Sequence, residues 1–256
     1  MACDTDLCWT SAARTNVGLV RIRNEDACLD QPARGLWAVA DGMGGHAFGD
    51  LASDAVVAAL DGLPDPACLA GCVEAARARL GAVNASLRAD ARVRGVPVIG
   101  STVVALFARG AEAACLWAGD SRLYLLRQGR LQQLTRDHSQ LEALRDSLGD
   151  SAGDIAAATA SPNMITRAVG AADTIEVEAT TLPVRDGDVF LLCSDGLSTP
   201  VGEAAIASAL APGDCARAAH DLVALALAHG GRDNVTVVVV RADDPSGDKT
   251  VLNPAL

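Results

Sequence analysis

The chain has 256 residues, half of them hydrophobic but only 3% aromatic, and a formal net charge of −11. That length allows one large domain or two small ones around a sizeable core, packed mainly by Ala, Val and Leu. The acidic balance argues against nucleic-acid binding, which needs basic surface; no apolar run is long enough to span a membrane, and the opening residues lack a signal-peptide pattern, so a cytoplasmic protein is expected.

In chain order, residues 17–29 read as a strand with a polar interruption, and 36–40 as a short buried strand. Apolar residues at 51, 52, 55, 56, 59 and 60 have helical spacing. A second helix is expected over 68–93, with Leu69, Cys72, Val73, Ala76, Leu80, Val83 and Leu87 on one side, before Pro97 and Gly100 break the pattern. Strands are expected at 102–108, 113–118, 123–127 and 130–134, with Gln128-Gly129 as a tight hairpin turn. Residues 137–172 are polar and alanine-rich, and read as a short helix followed by a flexible excursion. Strands return at 174–182 and 188–194, helices at 202–210 and 214–229, and a last strand at 235–241. Residues 243–256 read as a disordered acidic tail. Many consecutive strands with helices in blocks indicate an α+β, mostly antiparallel fold.

The eight cysteines form no CxxC pair, and most lie in apolar surroundings, as reduced, buried thiols do. Two Cx5R spacings, Cys8 to Arg14 and Cys28 to Arg34, raise the possibility of a cysteine phosphatase. The intervening WTSAA has no glycine, and LDQPA contains Pro32, which lacks an N–H for a phosphate cradle.

Acidic residues recur where apolar strands meet turns. Asp41 ends LWAVA, Asp120 ends LWAG, Asp195 follows VFLLCS, Asp233 precedes VTVVVV, and Glu25-Asp26 interrupts the first strand. Asp is ordinary in any one turn. Several carboxylates converging at one sheet edge would repel one another unless cations lay between them, and oxygen-rich sites select hard ions such as Mg²⁺ or Mn²⁺.

Eight segments carry a resemblance: RIRNEDA (21–27), VADGMGGHAFGD (39–50), GSTVVALF (100–107), WAGDSRLYLLR (117–127), LTRDHS (134–139), ITRAVG (165–170), LLCSDGLS (191–198) and GRDNVTVVVV (231–240). In order and together, they resemble the metal-dependent Ser/Thr protein phosphatases of the PPM (type 2C) family in its bacterial form. The resemblance covers residues 1–242 as one domain, with a flap at about 140–172. It implies a four-layer α/β/β/α sandwich with two antiparallel central sheets, and two Mn²⁺ or Mg²⁺ ions in a cleft at one end. It implies that Asp41 bridges the ions, that the Gly42 carbonyl is a further ligand, and that Asp195 and Asp233 complete the site. Asp120 and Asp195 would hold a third, weaker ion, with Glu25 and Asp26 acting through bound waters and Arg21 binding phosphate.

The activity implied is hydrolysis of phosphoserine and phosphothreonine by a hydroxide bridging the ions, on phosphoproteins that include a cognate Ser/Thr kinase or its substrates, in some relatives within type VI secretion control. A monomer is expected. The rival from another class is a pseudophosphatase that keeps the fold as a phosphoprotein-binding module; the retained carboxylates argue against it. Met43 stands where many eukaryotic relatives carry a histidine proposed as general acid, and Met cannot donate a proton. His46 is expected to be a surface or structural residue and His138 to serve a local turn or cap. Thr250, in the tail, is a candidate phosphorylation site.

Overall fold

A computed structural model describes residues 7–44, 48–64, 68–148 and 164–246, with backbone only at 146–148. His46, Thr250, residues 149–163 of the expected flap and residues 247–256 lie outside that range.

Eleven strands are described: β1 (Cys8–Asn16), β2 (Asp26–Gln31), β3 (Leu36–Met43), β4 (Gly100–Ser101), β5 (Val103–Arg109), β6 (Glu112–Ala118), β7 (Arg122–Arg127), β8 (Arg130–Gln133), β9 (Glu178–Pro183), β10 (Val189–Cys193) and β11 (Val235–Asp243). They form two sheets, one ordered β1-β11-β10-β7-β8 and the other β2-β3-β5-β6-β9, with β4 paired to β3. Every ladder is antiparallel. The helices are α1 (Gly49–Asp61), α2 (Leu69–Arg94), α3 (Gln140–Leu148), α4 (Asp195–Ser198), α5 (Glu203–Leu210) and α6 (Cys215–Ala228).

Alternation along the strands builds four layers. Ala38, Ala105 and Leu116 face α1 and α2 on the outside of one sheet. Tyr124, Leu191 and Val237 face α5 and α6 on the outside of the other. Trp37, Val104, Leu123, Phe190 and Val238 fill the space between the sheets. With both faces covered, the central strands read as unbroken apolar runs rather than alternating ones.

The expected α+β sandwich is therefore the fold, with local corrections. Residues 17–29 are not one strand: β1 lies earlier, 17–25 is a loop, and only β2 is extended. β1 is an edge strand of small and polar residues with little alternation, whereas the aliphatic residues after it resemble a strand without pairing. Gly18, at φ 79°, turns the chain into the loop. The strand expected from 174 begins at Glu178. The final strand continues to Asp243, opposite Cys8, two residues past its expected end. Gln128 and Gly129 both have positive φ (51° and 76°), as a tight hairpin turn requires.

Candidate metal centre

The acidic residues come to one end of the sandwich from both sheets. Asp26 and Asp41 lie directly opposite each other across β2 and β3. Asp195 opens α4 where β10 ends, and Asp233 precedes β11. Like charges directly opposite on a sheet are unfavourable, so what keeps this arrangement in place matters.

The backbone holds Asp41 firmly. Its N–H donates to Thr102 Oγ1 at 3.0 Å, its carbonyl accepts from the Thr102 N–H at 2.9 Å, and Thr102 Oγ1 contacts Ser121 Oγ at 2.7 Å. Gly42 is required by crowding: a Cβ there would sit 2.0 Å from the Gly49 carbonyl oxygen and 2.6 Å from that of Glu25. The Gly42 N–H donates to Glu25 O at 3.0 Å. A Cβ on Gly49 would fall 2.7 Å from Glu25 Oε1 and 2.8 Å from the Gly42 oxygen. These glycines let strand, loop and helix meet with the Glu25 carboxylate and the Gly42 carbonyl among them.

A cleft of about 670 Å³ is lined by Arg21, Glu25, Asp41, Gly42, Asp195 and Asp233, with Met43 and Ile165 at its sides. Asp195 also borders a second hollow of about 180 Å³ with Asp120, where Arg122 engages Asp137 through Nε to Oδ1 at 2.9 Å and Nη2 to Oδ2 at 2.7 Å. Asp120 is thus set apart from Asp41 and Asp233, with Asp195 common to both hollows.

The electrostatics are those of crowded carboxylates. Burial, then repulsion from Asp26, Asp195, Asp120 and Asp233, drives Asp41 far above the ordinary carboxylate range. Burial pushes Asp26 up to about 7, opposed by hydrogen bonds from Thr236 and Ser194 and reinforced by Asp195 and Asp233. Burial, then Asp195 and Asp137, push Asp120 up to about 7. Asp195 is raised by burial and by Asp233. Asp26 Oδ2 accepts from Ser194 Oγ at 2.8 Å, while its Oδ1 is buried without a partner.

Among the described residues, no three or more His, Cys, Asp or Glu side chains stand in ready-made ligating geometry. Bare carboxylates repel, and Asp233 turns to Arg21, whose Nη2 lies 2.7 Å from Oδ2. The fit to cations rests on the donor set: mutually repelling carboxylates of Asp41, Asp195, Asp233 and Glu25 with the Gly42 backbone, facing a common space. That is a hard-ion environment.

The cysteine alternative fails on geometry. Cys8 and Arg14 lie on the extended strand β1, not on a loop that could wrap an anion. Cys28 lies on β2, its thiol pushed up to about 11 by burial and by Asp30 and Asp26. Cys72, Cys115, Cys193 and Cys215 are buried as expected, but Cys8 and Cys68 are exposed.

A match to the protein phosphatase 2C family model extends over residues 20–224. The chain belongs to this family. As a member of the protein phosphatase 2C family, it is 41% identical over 237 residues to the serine/threonine protein phosphatase PstP of Mycobacterium tuberculosis, covering 91% of this chain but 45% of that protein. The chain thus spans less than half the length of those curated relatives. It is 32% identical to the serine/threonine phosphatase stp of Listeria monocytogenes, covering 90% of this chain and 94% of the relative. Among solved structures, it resembles PppA, a key regulatory component of T6SS in Pseudomonas aeruginosa, at TM-score 0.84 and 45% identity over 91% of this chain and 97% of that one. It also resembles the PstP catalytic domain in complex with two manganese ions, at TM-score 0.78 and 39% identity over 93% and 100%.

Two supporting residues were not legible in the sequence. Asn234 accepts from the Glu25 N–H at 2.8 Å through Oδ1, while its Nδ2 donates to the carbonyls of Val17 and Arg23, both at 2.9 Å. His138, expected in a local turn, is buried against Trp117 and works at longer range. Its Nδ1 accepts from the Gly119 N–H at 3.1 Å, which leaves Nε2 to donate to Glu178 Oε1 at 3.1 Å. Burial lowers its pKa, partly offset by Glu178, which favours that neutral tautomer. Its only advance signal was its place in the run Asp137-His138-Ser139; the partners come from other segments.

Proposed function

We propose that the chain is a metal-dependent protein phosphatase that hydrolyses phosphoserine and phosphothreonine directly with water. The observation that carries the reading is the convergence of Asp41, Asp195 and Asp233 from two sheets on one cleft that also presents Arg21 and Glu25, with Asp26 directly behind Asp41 in the sheet. Asp41, the Gly42 carbonyl, Asp195 and Asp233 would hold two Mn²⁺ or Mg²⁺ ions, and Asp120 with Asp195 a third. When bound, such ions acidify water and neutralise charge on a transferring phosphoryl group.

The chain's own residues divide the remaining work. Arg21 offers a planar fork of N–H donors suited to phosphoryl oxygens. Glu25 supplies an acceptor at the cleft wall and Asp26 stands behind Asp41, both acting through bound water. No cysteine, serine, threonine or histidine lines the cleft among the described residues, so none of these described side chains supplies a nucleophile there. Met43 lines it too and cannot protonate a leaving oxygen.

The substrates are phosphorylated proteins, including a cognate Ser/Thr kinase or its targets; likeness to PppA is compatible with a role in type VI secretion. No described helix is long and apolar enough to cross a membrane. We assign the chain to the cytoplasm, as a monomer.

The test is hydrolysis of p-nitrophenyl phosphate. Turnover is expected with Mn²⁺, lost with EDTA and lost in Asp41→Asn. Turnover that survives complete metal removal overturns the metal mechanism. A folded protein inactive with both Mn²⁺ and Mg²⁺ is a binding module instead.

A further inference from the structure

Large hydrophobic side chains exposed among the described residues are Leu19, Val20, Ile22, Val93 and Met164. Three of these five lie in the loop between β1 and β2, and Ile22 is 96% exposed. Val20 and Ile22 border the carboxylate cleft beside Arg21 and Arg23, and Ile165, next to Met164, borders it too. Exposed apolar side chains gathered at the rim of a groove mark a binding surface.

The loop is fixed. The Leu19 N–H donates to Gly231 O at 2.7 Å. The Asn234 amide holds both Val17 O and Arg23 O. A Cβ at Gly18 would come within 2.3 Å of the Asp233 carbonyl oxygen, so the neck is tightly packed. Only the side chains beyond the neck are free to meet something else.

We propose that Val20 and Ile22 form a substrate-reading lip that takes branched aliphatic residues immediately flanking the phosphorylated Ser or Thr. The inference rests on the phosphatase reading and names its substrate class. The occupant follows from continuity with the cleft: a phosphoryl group that reaches Arg21 places its adjoining residues over Arg21's neighbours. An extended chain advances about 3.3 Å per residue, so residues one or two positions away fall on the lip. Arg21, paired with Asp233, and Arg23 place two guanidinium groups beside the lip, where phosphoryl oxygens can be met.

The experiment compares kcat/KM of the Mn²⁺-loaded full chain on two phosphothreonine peptides of equal length and charge. One carries Val or Ile on both sides of the phosphothreonine, the other Ser or Asn. The aliphatic peptide is expected to be preferred about 10-fold, mainly through KM, and the preference should collapse towards unity in Ile22→Ser and in Val20→Ser. Both side chains are exposed, so neither substitution removes core packing. Equal kcat/KM in the parent chain, or a preference that survives in the double variant, overturns the inference. So does a dimer in light scattering that Ile22→Ser dissociates, which would assign the lip to self-association. The parent chain's turnover of p-nitrophenyl phosphate separates the two claims. Turnover without peptide preference removes the lip alone; no turnover removes the phosphatase reading and the lip with it.

Discussion

Asp26 lies opposite Asp41, half-buried, with Oδ2 accepting from Ser194 and Oδ1 buried without a partner. In the metal-free chain its ionised form is a net cost to folding. Asp26→Asn should therefore stabilise the metal-free fold at pH 8 by about 1–2 kcal/mol while weakening Mn²⁺ binding. Urea unfolding and isothermal titration measure the two effects, and a variant that loses stability would contradict the assignment. His138 makes the opposite case, since its hydrogen bonds favour the fold. His138→Phe preserves a ring against Trp117 but leaves the buried Gly119 N–H without its acceptor. The expected loss is about 1–3 kcal/mol in urea unfolding.

The glycines of α1, α2 and β3 separate crowding from flexibility. Gly42→Ala drives a Cβ into the backbone of Gly49 and Glu25, so it should abolish Mn²⁺-dependent turnover and lower stability by more than about 2 kcal/mol. Gly81, inside α2, has open space where a Cβ would go. Gly81→Ala should stabilise by about 0.5–1 kcal/mol, as a rise in melting temperature, with turnover unchanged. At this scale the sequence was uneven to read. β5, β6, β7, β10 and β11 were legible because burial on both faces leaves a continuous apolar run. β1 was not, because an edge strand is held by its ladder to β11 rather than by side-chain burial. The carboxylates were legible as strand-end residues, each at a position where an apolar run stops. The supports were not, since Asn234 and His138 act through hydrogen bonds to segments 19 to 217 residues away.

Over the whole molecule, the site straddles two sheets, Asp26 and Asp41 from one and Asp195 and Asp233 from the other. The raised carboxylates set the pH dependence. A carboxyl whose folded pKa lies above its unfolded value favours folding at pH below that unfolded value, and the benefit is lost as pH rises through the folded one. For Asp26 and Asp120 the window runs from 3.8 to about 7. The metal-free chain should therefore lose stability across that interval, while cations at the site offset the loss and gain affinity as protons leave. The melting-temperature difference between Mn²⁺-loaded and metal-free protein should be small at pH 5 and large at pH 8. A difference that does not vary with pH would show that these groups are not at the ion site.

The loop that bears Arg21 is closed at its neck by Asn234 and by the Leu19 amide, and those bonds involve backbone atoms of the loop rather than its exposed side chains. Substitution at positions 20 and 22 is therefore nearly free of folding penalty, whereas change at Asn234 or Gly18 is not. Such a division lets a lineage redirect its preference among targets by drift at two surface positions, with the hydrolytic machinery inherited intact.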